Sequence, residues 1–469
     1  MADKQQKIEL LLNDILEEIL VRLPLAELAR YKLVCKDWRD LIESSYFVSK
    51  HINRSTDPSS HIILLQDEIP CREPVPFKYA ARFMCDNALM VGSINGLVCI
   101  VGNYCDKFTT PDDVWILNPV TGNATKLPPP ASPMILDNYS RVSFAFDWDP
   151  STVTSGYKVF KITSKSTLSS TEARECILSS GNAFYKPIDS NSIEVWSSES
   201  PDMWYELPMT INRPFFLPTS WISHCDAVVG GVAYWLVVDR DYSASFVLSL
   251  DTRSYKLTSI PLPHISTPIQ TVIRDEESCF FGTIWEDRFA LILEEGSDDG
   301  AHYYSVWRLD CSGVSWCDKF SFRLHYDIYS HFNSINNRLV LELDDGMIYF
   351  YNTKIGKLES SRNEGFSEFS NKQMVNYDNV SSAHDFVGSL LSIAGFRPFE
   401  DSENFPYLVF MWPGSVTSTS GFVGNRNANE GIHDDSDDDN WGKPKELSFM
   451  ESFFTPRLSC DVIESCDVI

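Results

Sequence analysis

Along the first fifty residues the apolar positions return every three or four places. Ile15, Leu16, Ile19, Leu20 and Leu23 follow Asn13, a residue suited to capping a helix. Pro24 stops that helix and opens the next, which carries Leu25, Leu28 and Ala29. Val34, Trp38, Leu41 and Ile42 then fall at i, i+4, i+7 and i+8, predicting a third helix. Three short helices bury little surface alone. Their apolar faces therefore predict either a miniature core or a surface that another protein completes.

From about residue 60 the period drops to two. HIILLQ at 61–66 reads as a strand, and a longer unit then recurs: an apolar strand, a polar turn and a shorter strand often ending at proline. It runs as WILNPVTGNATKLP from Trp115, IEVWSSESPDMWYELP from Ile193, FVLSLDTRSYKLTSIPLP from Phe246, YSVWRLDCSGVSWCDKF from Tyr304 and IYFYNTKIGKLES from Ile348. GSINGLVCI (92–100), VVGGVAYWLV (228–237) and FNSINNRLVLEL (332–343) each set a tight Asn/Gly turn before an apolar strand. SFAFDWDPSTVTSGYKVFKI (143–162) and CFFGTIWEDRFALIL (279–293) are the matching hairpins of other units. A Ser/Thr-rich stretch at 163–192 reads as a loop inserted in one unit.

The expected fold is α+β and multidomain. A small helical unit (1–50) precedes an all-β, propeller-like domain of five to six blades (60–412), with strand 61–66 closing the ring against the last blade near 384–412. A β-sandwich is the structural alternative. Residues 413–469, with the run HDDSDDDN, are expected to form a disordered acidic tail.

Composition narrows the function classes. Over 469 residues, 39 Lys/Arg face 65 Asp/Glu for a net charge of −26, which argues against nucleic acid, where cations must displace counterions. No apolar run is long enough to cross a membrane, and the MADKQQKIEL opening lacks the apolar core of a signal peptide. A cytoplasmic or nuclear location is expected. The twelve cysteines include no CxxC pair, so they read as small buried hydrophobes and no metal site is expected. Cys466 stands fourth from the end, but charged Asp467 and the lack of an upstream basic cluster argue against prenylation.

No catalytic motif is present: no phosphate loop, no H-E-x-x-H, no G-x-S-x-G and no G-x-G-x-x-G. His224 beside Cys225 is the nearest approach to a nucleophile pair. Sequence neighbours on a strand point to opposite faces, so the two cannot form a dyad there. Trp115, Trp196, Trp204, Trp235, Trp285, Trp307 and Trp316 stand at repeat-equivalent points, which favours packing between blades over a ligand pocket. No cofactor and no catalytic residue are expected.

LLNDILEEILVRLPLAELARYKLVCKDWRDLI, residues 11–42, resembles the F-box. Ile19, Leu20, Leu23, Pro24, Val34, Cys35, Lys36, Trp38, Leu41 and Ile42 match its order of Ile-Leu, Leu-Pro, Val-Cys-Lys-x-Trp and Leu-Ile. Leu12 stands where that family usually has its first proline. The resemblance implies binding to a Skp-family adaptor, and through it a cullin, by Leu11, Ile15, Leu16, Ile19, Leu20, Leu23, Pro24, Leu28, Val34 and Trp38. Across about 89–393, GSINGLVCI, WILNPVTGNATKLP, FDWDPSTVTSGYKVFKI, IEVWSSESPDMW, GGVAYWL and HDFVGSLLSI are similar to the F-box-associated domain of plant F-box proteins, a kelch-like domain found also in the S-locus type.

That resemblance implies the substrate-recognition subunit of a Skp–cullin–F-box ubiquitin ligase, in the S-locus case recruiting a pistil ribonuclease in self-incompatibility. Such a receptor acts by proximity and makes no bond itself. A scaffold that no longer engages the ligase is the alternative, favoured by Leu12; a propeller enzyme is a third reading, for which no motif speaks. Residues 51–412 hold 27 Lys/Arg against 45 Asp/Glu, so the acidic field belongs to the β domain. Steering of a basic target protein is the functional expectation, and solubility is the alternative.

Overall fold

The structure, a computed structural model, describes most residues between 14 and 411. Residues 1–13 and 412–469 fall outside the described residues, as do internal stretches that include 67–79, 103–112, 166–189, 264–279 and 361–379. The cap Asn13, the candidate contacts Leu11 and Pro24, and the acidic tail all lie outside this set.

The N-terminal unit holds helices α1 (residues 14–20), α2 (Leu25–Tyr31), α3 (Lys36–Glu43) and α4 (Ser45–Arg54). Three of these follow from the apolar spacing; α4 does not. Its signal was Ser44, whose Oγ accepts the Phe47 N–H at 3.2 Å and donates to the Leu41 carbonyl at 2.7 Å. Leu20, Val21, Leu28, Ile42 and Phe47 form the miniature core, with Leu16, Leu23, Tyr31, Trp38 and Leu41 packed on its margin. Val48 turns the other way and is buried in the apolar cluster of the β domain. Helix α4 thus contributes to two cores.

Six sheets of four or five strands make the β domain, within the range that the repeats predicted. The units read separately from sequence combine pairwise. Ala88–Ile94 and Leu97–Gly102 join Val114–Asn118 and Asn123–Lys126 in one sheet; Phe280–Trp285, Arg288–Asp298, Ala301–Leu309 and Trp316–Leu324 make another. The innermost strands neighbour one another in a closed circuit. It runs from Ala88–Ile94 through Arg141–Trp148, Ala227–Val229, Phe280–Trp285, Ile328–Ile335 and Val380–Phe386 and back to the first. That circuit is a propeller-like ring and excludes the two-layer sandwich. His61–Gln66 pairs antiparallel with Val380–Phe386, so the N-terminal strand closes the ring as expected. It also pairs in parallel with Ala80–Met84, a strand the sequence pattern did not reveal.

Among the described residues, apolar clusters fill the spaces between successive blades from Ala88–Lys126 round to Ile328–Ser360, because a sheet apolar on both faces must be covered twice. Trp196, Trp204 and Trp235 lie in these clusters, with Trp285, Trp307 and Trp316 packed against them. Their indole N–H groups add directional bonds across the seams. Trp204 donates to the Pro128 carbonyl and Trp316 to the Pro261 carbonyl, both at 2.7 Å, each reaching back to the chain at or beyond the outer strand of the preceding blade. The proline that ends these strand units is therefore an acceptor for the next blade's tryptophan. Trp235 reaches Ser143 Oγ at 3.0 Å across the seam between its own blade and the one before.

The hairpin turns at one end of the blades differ in their chemistry. Asn95–Gly96 and Gly230–Gly231 have φ of 53° and 78°, and 63° and 80°, which is the left-handed backbone a two-residue hairpin favours. Glu286 and Asp287 occupy the same position with φ of 49° and 56°. A residue with a Cβ pays about 1–2 kcal/mol there, partly offset by the greater freedom of glycine in the unfolded chain. Glu286 is engaged by Arg308, so Asp287 is the position to change. Asp287→Gly should raise the unfolding free energy by about 0.5–1 kcal/mol. Denaturant unfolding followed by tryptophan fluorescence would show it, and a loss of stability would contradict this account of the turn.

Candidate partner-docking surface

Nine large hydrophobic side chains are exposed among the described residues, and five of them lie in the small helical unit: Ile15, Ile19, Leu33, Val34 and Tyr46. Such a concentration on so short a stretch marks an interaction surface rather than scattered exposure. Ile15 and Ile19 are one helical turn apart on α1, and with Asp14, Glu18 and Arg22 they line a shallow open groove.

The candidate contacts divide into three groups. Ile15, Ile19 and Val34 are each more than half exposed. Leu16, Leu23 and Trp38 are half-buried and lean on the miniature core, Trp38 meeting Tyr31 edge to face at 5.5 Å between ring centres. Leu20 and Leu28 are core residues with no side-chain surface to offer. Leu33 was missed. It lies in the turn between α2 and α3, outside any helical period, and its only sequence signal was the apolar pair Leu33–Val34 placed before Cys35.

Polar contacts fix this surface in shape. Arg39 Nε donates to the Lys32 carbonyl at 3.2 Å, and Lys32 Nζ meets Glu43 Oε1 at 2.7 Å, so the start of the turn bearing Leu33 and Val34 is tied to α3 by both the backbone and the side chain of Lys32. On the other side Lys50 of α4 contacts Glu17 and Glu18 of α1, each at 2.6 Å. Hydrogen bonding to Lys50 holds the Glu18 carboxyl below the usual range, with Arg54 and Arg22 assisting. His51 Nε2 lies 3.1 Å from the Leu23 carbonyl, and burial depresses its imidazole. A bond to that carbonyl requires the N–H on Nε2, which a neutral ring supplies.

In the β domain, His224 Nδ1 bonds the Cys225 carbonyl at 2.7 Å. Burial, reinforced by Asp226 and Asp147, pushes the Cys225 thiol well above its usual range, the opposite of what a nucleophile needs. Among the described residues no group of three His, Cys, Asp or Glu side chains is placed to hold a metal ion, and no helix is long and apolar enough to cross a membrane.

Residues 8–50 match the F-box domain. An F-box/LRR-repeat protein of Arabidopsis thaliana is 22% identical over 335 residues, covering 68% of this chain and 69% of that protein. An F-box/kelch-repeat protein of the same plant is 23% identical over 350 residues, covering 69% and 74%. Another Arabidopsis thaliana F-box protein is 28% identical over 170 residues, covering 33% of this chain but 38% of its own length. Among solved structures, an exo-beta-1,3-galactanase from Phanerochaete chrysosporium aligns over 58% of this chain and 62% of its own, at a TM-score of 0.31 and 10% identity. A likeness that distant carries no statement about this chain.

Proposed function

We propose that this F-box-bearing chain is the substrate-recognition subunit of a Skp–cullin–F-box ubiquitin ligase. The observation that carries the reading is the cluster of exposed apolar side chains on the F-box unit, Ile15 and Ile19 on α1 and Leu33 and Val34 in the turn before α3, on a unit too small to need them for its own core. Similarity along two thirds of the chain to plant F-box proteins supports it. Such a chain makes no bond itself. It raises the effective concentration of a target beside the ubiquitin-carrying partner. Val48, buried against the β domain, links α4 to the target-holding ring. A cytoplasmic or nuclear location follows from this role.

The target we assign to the propeller is a basic protein. The acidic balance of residues 51–412 supports this, and the association rate should fall as salt shortens the Debye length toward about 8 Å. A pistil ribonuclease in self-incompatibility is one target of this chemistry.

The test separates contact residues from core residues. Ile19→Asp with Val34→Asp should leave the helical unit folded and weaken adaptor binding by about 30-fold or more, which is the effect of truncating interface anchors worth about 2 kcal/mol. Undiminished affinity of the folded double variant for a Skp-family adaptor would refute the assignment. Co-purification of adaptor and cullin with the wild-type chain distinguishes a ligase receptor from a scaffold outside the ligase.

A further inference from the structure

Among the described residues the strand Ser200–Leu207 is the outer edge of its sheet, pairing only with Ser190–Ser197. Its ladder is irregular: Ser200 faces Ser197, yet the next paired residue, Tyr205, faces Val195. The extra residues form a bulge pinned from two sides. Trp196 Nε1 donates to the Pro201 carbonyl at 3.0 Å, and buried Trp204 is held by its bond to Pro128. With Trp204 turned inward, its neighbours turn outward: Met203 is 54% exposed and Tyr205 43%. These are two of the four large exposed hydrophobic side chains described outside the helical unit.

The charges along this edge have one sign. Glu199, Asp202 and Glu206 are exposed, and no Lys or Arg occurs between residues 187 and 212. Edge strands commonly avoid joining other strands by carrying lysine. This one carries carboxylates, so a second copy of the same edge would set carboxylate against carboxylate. A strand bearing cations meets the opposite situation.

We propose that the edge Ser200–Leu207 docks an extended segment of a partner protein, in which Lys or Arg alternates with apolar residues, as an added strand. Main-chain pairing would supply affinity, while Met203 and Tyr205 take the apolar side chains and the three carboxylates take the cations. This rests on the reading of the β domain as a receptor for a basic target and names where that target is held.

The probe is a fluorescein-labelled eight-residue peptide alternating Lys and Val, titrated against the full chain by anisotropy at 0.15 M salt. Its counterparts replace Lys with Glu, or carry N-methyl groups on alternate backbone nitrogens. Binding of the lysine peptide should exceed that of either counterpart at least ~10-fold, and Met203→Ser with Tyr205→Ser should weaken it by a similar factor. Both side chains are exposed, so this variant keeps its tryptophan fluorescence and unfolding midpoint. Equal binding to wild type and variant, or undiminished binding of the N-methylated peptide, would overturn the proposal and leave only the general attraction of an acidic protein for cations. Self-association of the chain abolished by the variant would overturn it in favour of a second copy. Adaptor binding is measured on the same variant: its retention with loss of the peptide supports the edge, whereas an adaptor-blind wild type refutes the ligase reading without touching this one.

Discussion

Replacing Lys161 by Met should cost about 3–5 kcal/mol of stability, and replacing Glu194 by Leu at the same time should recover about half of that loss. The two side chains are directly opposite on adjacent strands and almost completely withdrawn from water, at 1% and 2% exposure, with Nζ and Oε2 3.8 Å apart. Between them they grip the backbone of one residue of the neighbouring blade from both sides: Lys161 donates to the Ser132 carbonyl at 2.7 Å, and Glu194 accepts the Ser132 N–H at 2.9 Å. Removing the lysine alone leaves a buried carboxylate without its counter-charge. Removing both eliminates the charge problem and leaves only the N–H and carbonyl of Ser132 to re-solvate, at about 1–3 kcal/mol. Equilibrium unfolding of the two single variants and the double variant forms a mutant cycle. Additive losses would mean that the pair is not coupled and that Ser132 is held by something else.

The second large effect is a pH-dependent one at Asp226. Its carboxylate is largely enclosed where the inner strands of two blades meet, part-buried and accepting the N–H of Leu236 at 2.6 Å and that of Gly282. A Cβ on Gly282 would lie 2.5 Å from Asp226 Cβ, so glycine is what lets the strands approach. Burial raises the carboxyl from 3.8 to about 6, the hydrogen bonds pulling the other way without prevailing. Because the folded value is the higher one, the associated stability is fully present below pH 3.8 and is lost as pH rises through 6. Two units correspond to about 3 kcal/mol. Relative to Asp226→Asn, which has no such titration, the wild type should therefore lose about 3 kcal/mol of unfolding free energy between pH 4 and pH 7. Contributions from His51, His224 and Asp147 are common to both proteins and cancel in the comparison. A difference that stays constant with pH would show that Asp226 ionises as an exposed carboxylate does.

Period alone determined much of this protein. Helical spacing through Ile15–Leu23, Leu25–Ala29 and Val34–Ile42 located three of the four helices, and alternation with Asn/Gly turns located both hairpins of most blades and the closure of the ring by His61–Gln66. These features are local: the residues that specify a hairpin lie within a dozen positions of one another, so their pattern survives in the linear chain. The side chains able to meet an adaptor were named only as a mixed set, because an amphipathic helix shows which residues are apolar but not which are covered. Leu20 and Leu28 became core while Ile15, Ile19 and Leu33 stayed exposed once α4 brought Phe47 against one face of the unit and left the others open.

Other features depend on chain segments far apart in sequence. Ile222–His224 pairs in parallel with Arg141–Trp148 before the chain continues into the next blade at Ala227–Val229. Lys161 and Glu194 read as strand charges until the seam closes over them around Ser132. Asp226 stands just ahead of the VVGGVAYWLV hairpin with nothing in the sequence to mark it, and becomes enclosed only when Gly282 packs on it. A charge in a sequence carries no mark of its burial. Burial is set by which sheet lies opposite, and that is fixed only when the six blades close into one ring.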